Sequence, residues 1–162
     1  VDICFLSSGN YQKLVVEEMK TKPKSGNIVT EDGEVLGKHT GLFNYTIGQR
    51  KGLGIAYKHP LYVIGFNGER NEVIVGPNER LFTNRMICKF YNFLDDTIHK
   101  ELKAEGKIRY AANPSPCTAR ILDDDTMEVI FDEPQRAITP GQSVAFYNGT
   151  QLLGGAVIDR VC

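Results

Sequence analysis

Residues 37–58 concentrate the side-chain types that bind a phosphate chain. Their sequence, GKHTGLFNYTIGQRKGLGIAYK, holds four lysine or arginine residues and no aspartate or glutamate. Lysine and arginine neutralise phosphates, glycine lets a backbone approach a phosphate closely, and aromatic rings stack on unpaired bases. The same composition is compatible with a solvated loop that its aromatic residues anchor to the core. We therefore take Lys38, Arg50 and Lys51 as candidate RNA-facing residues, with a packed surface loop as the alternative.

A second cationic group lies later in the chain, at Lys107, Arg109 and Tyr110. Alternation along a strand predicted over residues 105–112 places Lys107 and Arg109 on one face, with Ile108 and Tyr110 on the other. An arginine beside a tyrosine at a strand end can hold a phosphate and stack a base. An ordinary exposed strand face is the alternative, and it is the commoner case.

Gln142 follows a turn signal. Thr139, Pro140 and Gly141 precede it, and this order predicts a type II turn with Gly141 at positive φ. Such a turn displays the side chain of Gln142, which can both donate and accept hydrogen bonds. A purely structural glutamine is the alternative.

Cys4 stands just before the one segment with a helical pattern, residues 7–21, which Pro23 ends. A thiol near a helix N-terminus has a lowered pKa and reacts as a thiolate. A cysteine between Ile3 and Phe5 is more often packed in a core. Local sequence leaves both interpretations open.

Nucleotide and metal sites are not predicted. Residues 48–54 lack both the Gly-Lys-Ser/Thr ending of a Walker loop and the third glycine of a dinucleotide fingerprint. The four cysteines form no Cys-x-x-Cys pair, and the three histidines do not cluster with them. Cys88 and Cys117 lie inside strand patterns, which predicts that they are core residues. We therefore expect no bound metal.

Most of the chain is patterned as short strands. An Asp-Gly turn at Gly33 and a longer loop at residues 67–71 each separate two β-forming runs, which predicts two hairpins. Six further strands are predicted near residues 86–93, 105–112, 116–122, 126–131, 143–147 and 151–159. Strands at this spacing indicate a small closed barrel or sandwich. We therefore expect two small β-rich domains with a boundary near residue 82.

Composition limits the class of protein. The chain has 162 residues with 19 Lys or Arg, 20 Asp or Glu and a formal net charge of −1. This balance excludes a uniformly basic nucleic-acid binder but not a local basic patch. We see no apolar stretch long enough for a membrane helix and no signal-peptide pattern. The expectation is a cytoplasmic protein with reduced thiols and no membrane partner.

Several segments together resemble the bacterial tRNA-specific 2-thiouridylase family. The resemblance extends over nearly the whole chain, and its most specific part is YTIGQRKGLG at residues 45–54. The other matching segments are DICF at 2–5, a spaced glycine and histidine pattern at 26–42, EVIFDEP at 128–134, TPGQS at 139–143 and FYNG at 146–149.

This resemblance implies an architecture. Enzymes of the family carry an N-terminal ATP-binding domain, a small central β-rich domain and a C-terminal β-barrel similar to domain 2 of elongation factors. By this likeness the chain is mainly β and comprises the last two domains. The central domain, with one N-terminal helix, covers residues 1–82, of which 1–6 are the tail of the catalytic domain. A six-stranded barrel covers residues 83–162.

The resemblance also implies a reaction. The family adenylates the wobble uridine of certain tRNAs with ATP and magnesium, then replaces its 2-oxygen by sulfur from a cysteine persulfide. Cys4 matches the persulfide-accepting cysteine, which a sulfur donor such as a cysteine desulfurase or a sulfur-relay protein would load. A second cysteine is then expected to release the sulfur by forming a disulfide. Arg109, Tyr110 and Gln142 match positions that contact tRNA.

Two features of the family are missing from this sequence: the Ser-Gly-Gly-x-Asp-Ser loop that binds ATP and the partner cysteine in its usual context. The resemblance therefore implies no cofactor in this chain and no activity of the chain alone. Two alternatives stay open. One is a stand-alone RNA-binding module of translation type without catalysis, and the other is a protein–protein adaptor whose cysteines are all core residues. Residues 48–54 either face RNA or pack between domains.

Overall fold

The computed structural model describes residues 23–95, 98 and 100–162. The chain divides into two compact units, the first ending at Asn78 and the second running from Glu79 to Cys162. The predicted helix at residues 7–21 lies outside the described residues, as does Cys4. Over the described residues the chain is mainly β, which confirms the predicted fold class, and each unit has its own apolar core.

The described part of the first unit forms a four-stranded sheet. β1 (Gly26–Thr30) and β2 (Val35–His39) form the hairpin predicted from the turn at Gly33. β3 (Tyr62–Asn67) and β4 (Glu72–Gly76) form the second predicted hairpin. β1 also pairs in parallel with β4, so the strand order is β2-β1-β4-β3 and the two hairpins share one sheet.

The core of this sheet anchors the long loop between β2 and β3. Leu53 and Leu61 of the loop are buried in the same apolar cluster as Ile28, Val63, Val73 and Val75. Ile55 of the loop packs partly buried against that cluster. The loop is therefore held to the sheet through apolar side chains, although it has little regular structure.

His39, the last residue of β2, is buried with both ring nitrogens bonded. The backbone N–H of Gly41 donates to Nδ1 at 3.1 Å, so the ring proton lies on Nε2, which donates to the carbonyl oxygen of Asn71 at 3.0 Å. Gly26 leaves room for this contact, because a Cβ built there would lie 1.9 Å from the same Asn71 oxygen. The start of the long loop is thereby tied to the turn between β3 and β4.

The described part of the second unit is a closed barrel of six antiparallel strands in the order β10-β5-β8-β7-β6-β9. The strands are β5 (Phe82–Phe93), β6 (Glu101–Lys107), β7 (Ser115–Ile121), β8 (Thr126–Arg136), β9 (Ser143–Asn148) and β10 (Gln151–Val161). β10 pairs with both β5 and β9, which closes the barrel. Two strands depart most from the predicted ones: β6 begins four residues earlier and ends five residues earlier than the predicted 105–112, and β8 continues five residues past the predicted end at 131.

Large apolar side chains fill the barrel. Phe131 and Phe146 are fully buried in its core. Gly106 on β6 makes this packing feasible, since a Cβ there would lie 2.8 Å from the ring of Phe131. The buried carboxylate of Glu128 on β8 accepts a hydrogen bond from Nε of Arg85 on β5 at 2.6 Å, and Nη2 of the same guanidinium lies 2.5 Å from the same oxygen, so this charge is paired.

Candidate nucleic-acid interface

One end of the barrel gathers two loops. β6 ends at Lys107 and β9 begins at Ser143, and the two strands pair with Lys107 opposite Ala145. Residues 108–114 and 137–142 therefore leave the barrel at the same end, which we call the barrel rim. The rim carries the three residues predicted to contact tRNA: Arg109, Tyr110 and Gln142.

Arg109 is fastened to the rim by backbone carbonyls. Its Nη2 donates to the carbonyl oxygen of Arg136 at 2.9 Å and to that of Ala137. Partial burial, and after it the charge of Arg136, lowers the pKa of the Arg109 guanidinium from its ordinary value. The residue also lines a cavity of about 270 Å³ together with Ala112 and Gln135. The structure thus gives Arg109 a fixed orientation.

Tyr110 presents its ring to solvent. The residue is 98% exposed, and Nζ of Lys107 lies 5.6 Å from the ring centroid. Ile108 is only 4% exposed, so the prediction that Ile108 and Tyr110 share a strand face is wrong. β6 has already ended at Lys107, and a turn in which the N–H of Ala112 donates to the carbonyl of Arg109 at 3.2 Å breaks the alternation.

Gln142 completes the predicted turn. Its N–H donates to the carbonyl of Thr139 at 3.2 Å, and Gly141 has a φ of 85° as the turn requires. Two backbone bonds of 2.8 Å fix the turn to β10, from Gly141 N–H to the carbonyl of Ile158 and from Ile158 N–H to the carbonyl of Gln142. Gln142 itself is exposed at the barrel rim.

In the first unit, Gln49 organises the long loop. The N–H of Thr46 donates to its Oε1 at 3.0 Å, and its Nε2 donates to the carbonyl of Lys51 at 2.9 Å. The backbone is tied to β3 as well, since Gly48 N–H donates to the carbonyl of Val63 at 2.8 Å and Val63 N–H donates to that of Gln49 at 2.9 Å. Gln49 therefore shapes the loop from within, a role that the sequence did not signal.

Arg50 and residues 52–61 line a cleft of about 490 Å³, which we call the loop cleft. Of the three candidate RNA-facing residues, Arg50 lines this cleft. Lys38 and Lys51 are exposed but do not line it. The structure therefore separates side chains that the sequence had grouped together.

The sequence did not predict a second group of residues in the loop cleft, formed by Tyr57, Lys58 and His59. Nζ of Lys58 lies 5.9 Å from the ring centroid of Tyr57, and the rings of Tyr57 and His59 meet edge to face at 6.1 Å. The available signal was the absence of any acidic residue between Glu34 and Glu69. That signal identifies a cationic loop but not which of its cations share a cleft.

Two of the cysteines in the described part of the chain have thiols of low reactivity. Cys88 and Cys117 are buried in the barrel core, and burial raises the pKa of each thiol to about 12. A thiol with such a pKa is not ionised at neutral pH, so neither is a nucleophile in the folded protein. Cys162 is exposed.

The described residues carry neither a metal-binding cluster nor a membrane-spanning helix. Nowhere in the ranges 23–95 and 100–162 do three or more His, Cys, Asp or Glu side chains form a group that could hold a metal ion. In the same part of the chain, no helix has the length and apolar character needed to cross a membrane.

Two family models match the chain in succession. The tRNA methyl transferase PRC-barrel domain matches residues 13–77, and the aminomethyltransferase beta-barrel domain matches residues 83–158. The two matched segments fall on either side of the division between the two compact units.

Curated relatives are similar over almost the whole chain. The tRNA-specific 2-thiouridylase MnmA of Clostridioides difficile strain 630 is 44% identical over 160 residues, which cover 98% of this chain and 44% of that protein. MnmA of Clostridium botulinum strain Alaska E43 is 45% identical over 161 residues, 99% of this chain and 45% of that protein. MnmA of Carboxydothermus hydrogenoformans is 44% identical over 160 residues, 98% of this chain and 44% of that protein.

This chain spans less than half the length of these relatives. Within that span the identity runs through both compact units, and both domain models are matched in order along the chain. The chain therefore belongs to the tRNA-specific 2-thiouridylase family.

Proposed function

We propose that this chain supplies the tRNA-holding surface and the sulfur-accepting cysteine of an enzyme that replaces the 2-oxygen of the wobble uridine in tRNA by sulfur. The observation that carries the proposal is the barrel rim, where a fastened Arg109, an exposed Tyr110 and an exposed Gln142 occur together. The names of the relatives point to the same substrate and reaction.

Each rim residue offers RNA a different contact. The guanidinium of Arg109 can neutralise a phosphate, and its orientation is set in advance by the two carbonyls that it binds. The exposed ring of Tyr110 offers a face to an unpaired base, and the nearby ammonium of Lys107 adds positive charge. The amide of Gln142 can donate to and accept from a base edge or a 2′-hydroxyl.

Cys4 is the proposed sulfur acceptor, on the strength of the resemblance. A sulfur donor, such as a cysteine desulfurase or a sulfur-relay protein, transfers a sulfur atom to its thiolate and leaves a persulfide. The terminal sulfur attacks C2 of the activated uridine, and the 2-oxygen leaves with its adenylyl group. A second cysteine then attacks the Cys4 sulfur, forms a disulfide and leaves the transferred sulfur on the base. The disulfide must be reduced before another cycle.

ATP with magnesium is implied for the complete enzyme, but the described residues do not fit it. They hold no cluster of metal-binding side chains, and the chain has no Ser-Gly-Gly-x-Asp-Ser loop. We therefore assign no part of the adenylation to this chain. The proposal places that step in the portion of the relatives that the chain does not span.

Binding of labelled tRNA, followed by fluorescence anisotropy, tests the barrel rim. We expect the 162-residue chain to bind tRNA with an affinity that falls as salt rises. Tyr110→Ala should weaken binding by about tenfold, because stacking on one aromatic ring contributes about 1–3 kcal/mol. Leu122→Ala is the matched control, since Leu122 is also an exposed apolar residue but lies between β7 and β8 at the other end of the barrel. Equal affinities for the two variants would contradict the proposal.

Mass spectrometry tests Cys4. After incubation with a cysteine desulfurase and cysteine, we expect the chain to gain the mass of one sulfur atom at Cys4, and Cys4→Ser to gain none there. In the complete enzyme, Cys4→Ser should abolish thiolation and leave adenylation of tRNA intact. Binding of tRNA without any sulfur uptake at Cys4 would instead support the stand-alone RNA-binding module.

A further inference from the structure

We propose that the loop cleft binds one nucleotide unit of the tRNA, with the phosphate between Arg50 and Lys58. This inference rests on the proposed function, because it takes the ligand to be RNA. It adds a second RNA contact, on the first unit, to the one at the barrel rim.

Among the described residues, no carboxylate compensates the positive charge of the loop cleft. Arg50 and Lys58 line it, and no acidic residue occurs between Glu34 and Glu69. In the part of the chain that the structure describes, no carboxylate forms an ion pair with either cation. A concave surface that carries positive side chains without neighbouring carboxylates attracts a polyanion.

The aromatic cluster positions one of these cations. The ammonium of Lys58 lies 5.9 Å from the centroid of Tyr57, within the range of a cation–π contact. The edge-to-face contact of Tyr57 with His59 restrains the tyrosine ring in turn. Tyr57 is thus a positioning residue for Lys58. The residue is 38% exposed, so it also offers apolar surface to a nucleoside.

The walls of the loop cleft are preformed. Leu53 and Leu61 line the cleft and are 7% and 9% exposed, so both ends of its lining segment are fixed in the core of the sheet. Gly52 and Gly54 have φ angles of 77° and 67°, which turn the backbone where a side chain would be strained. A site that is already shaped loses less conformational entropy when it binds its ligand.

The size of the cleft favours a nucleotide over a single anion. Its volume of about 490 Å³ lies within the range of sites that hold whole small molecules, and a lone phosphate would leave most of it empty. The lining combines cations with apolar residues such as Ile55 and Pro60. This mixture matches a phosphate joined to a sugar and a base.

Alanine variants of three cations in the same loop test the proposal by anisotropy with labelled tRNA. Arg50→Ala and Lys58→Ala should each weaken binding about fivefold near physiological salt. Each should also reduce the slope of log affinity against log salt concentration by about one, which corresponds to the loss of one phosphate contact. Lys51→Ala is the matched control, because Lys51 is also exposed but does not line the cleft, and it should change binding less than twofold. Equal losses for Lys51→Ala and Lys58→Ala would overturn the proposal, since they would indicate unspecific attraction.

Amide chemical shifts of the unmodified chain give an independent readout. Uridine 5′-monophosphate should shift the amides of residues 52–61, inorganic phosphate should shift fewer of them, and a polyglutamate peptide should shift none. Stronger shifts with polyglutamate than with the nucleotide would overturn the proposal in favour of an acidic peptide. If Tyr110→Ala weakens tRNA binding but Arg50→Ala and Lys58→Ala do not, the cleft proposal alone is overturned. If the unmodified chain does not bind tRNA, the proposed function is overturned as well.

Discussion

The barrel rim and the loop cleft both present an arginine, but the protein holds the two side chains differently. Nη2 of Arg109 donates to two carbonyl oxygens at the end of β8. No carboxylate or carbonyl oxygen among the described residues accepts a hydrogen bond from the guanidinium of Arg50. A fastened guanidinium selects a ligand by geometry, whereas an unfastened one can follow a phosphate that moves. Under the proposed function, the rim would therefore orient RNA and the cleft would attract it.

The two surfaces are also built on different scaffolds, the rim on a regular barrel and the cleft on a loop with little regular structure. The rim is built on a barrel in which every described strand is paired on both sides. The cleft is built on a loop that is held by the buried side chains of Leu53 and Leu61, by the contact of His39 with Asn71 and by the side-chain bonds of Gln49. Substitutions that remove one of these contacts should therefore change the conformation of the loop and leave the barrel unchanged.

Gly26→Ala should have the largest effect on stability, because it disturbs the contact between His39 and Asn71 that fixes the start of the loop. The added Cβ would lie 1.9 Å from the backbone oxygen of Asn71, which cannot move aside cheaply. We expect a loss of about 3 kcal/mol in the free energy of unfolding, measured by urea titration. Gly68→Ala is the control in the same unit, since a Cβ there meets nothing within 4 Å, and it should change little. Similar stabilities for the two variants would refute this account of Gly26.

Arg109→Ala should have the next largest effect on stability. It removes the donor to the carbonyls of Arg136 and Ala137 in a partly buried site, which should cost about 1–3 kcal/mol in the free energy of unfolding. Arg50→Ala removes the same side chain from the loop cleft and should stay within about 0.5 kcal/mol of the parent. Chemical denaturation of both variants checks the contrast. If Arg50→Ala were as destabilising as Arg109→Ala, the comparison between the two surfaces would fail.

Gln49→Ala should have a smaller effect. It deletes the bonds to Thr46 and Lys51, both exposed to water, so we expect a loss of about 1 kcal/mol in the free energy of unfolding. Gln142→Ala serves as the control, because its side chain is exposed at the rim and its backbone bonds remain. Amide shifts confined to the loop in Gln49→Ala, and none of comparable size in Gln142→Ala, would support the assigned role.

The smallest expected effect concerns the reactivity of the buried cysteines near neutral pH. Burial raises the pKa of Cys88 and of Cys117 from 9.0 to about 12. At pH 8 an alkylating reagent should therefore modify Cys162 and spare both core thiols until the protein unfolds. Peptide mapping after brief alkylation measures this. Rapid modification of Cys88 or Cys117 in the folded chain would contradict the burial assigned to them.

The same pKa shifts predict a dependence of stability on pH. Above pH 9 the unfolded chain loses the two thiol protons, while the folded barrel keeps them until the pH approaches 12. The contribution of these thiols is therefore complete below pH 9 and is lost as the pH rises from 9 towards 12. Urea titrations at neutral pH and above pH 10 should show a smaller decline for Cys88→Ala than for the parent chain. Cys162→Ser should decline as the parent does.

Local signals in the sequence predicted much of the fold. The turn at Gly33 and the loop at residues 67–71 identified both hairpins, because such turns join strands that are antiparallel neighbours. The parallel pairing of β1 with β4 was not predictable, since no turn joins them and their contact depends on the shared core. Similarly, the end of β6 at Lys107 was missed because residues 108–110 continue to alternate in the sequence after the pairing has stopped.

The candidate sites were predicted less completely. The turn that displays Gln142 followed from the conformations that proline and glycine allow, and the structure confirmed it. The bonds of Arg109 to two carbonyls depend on where β8 ends, which lies more than twenty residues away in the sequence. The gathering of Tyr57 with Lys58 at a cleft depends on the path of a loop that the core fixes. The roles of Arg109, Tyr110 and Gln142 in RNA binding stay predictions.

The closure of the barrel by β10 has a consequence for protein synthesis. β10 is the last of the barrel strands along the chain, yet it fills the gap between β5 and β9, the first and the fifth of them. A ribosome that is still making residues 151–161 therefore holds a second unit with two unpaired strand edges, which are prone to pair with other chains. The four described strands of the first unit have all been synthesised by Gly76. We thus expect the nascent barrel, rather than the nascent sheet, to be the part that needs protection by chaperones.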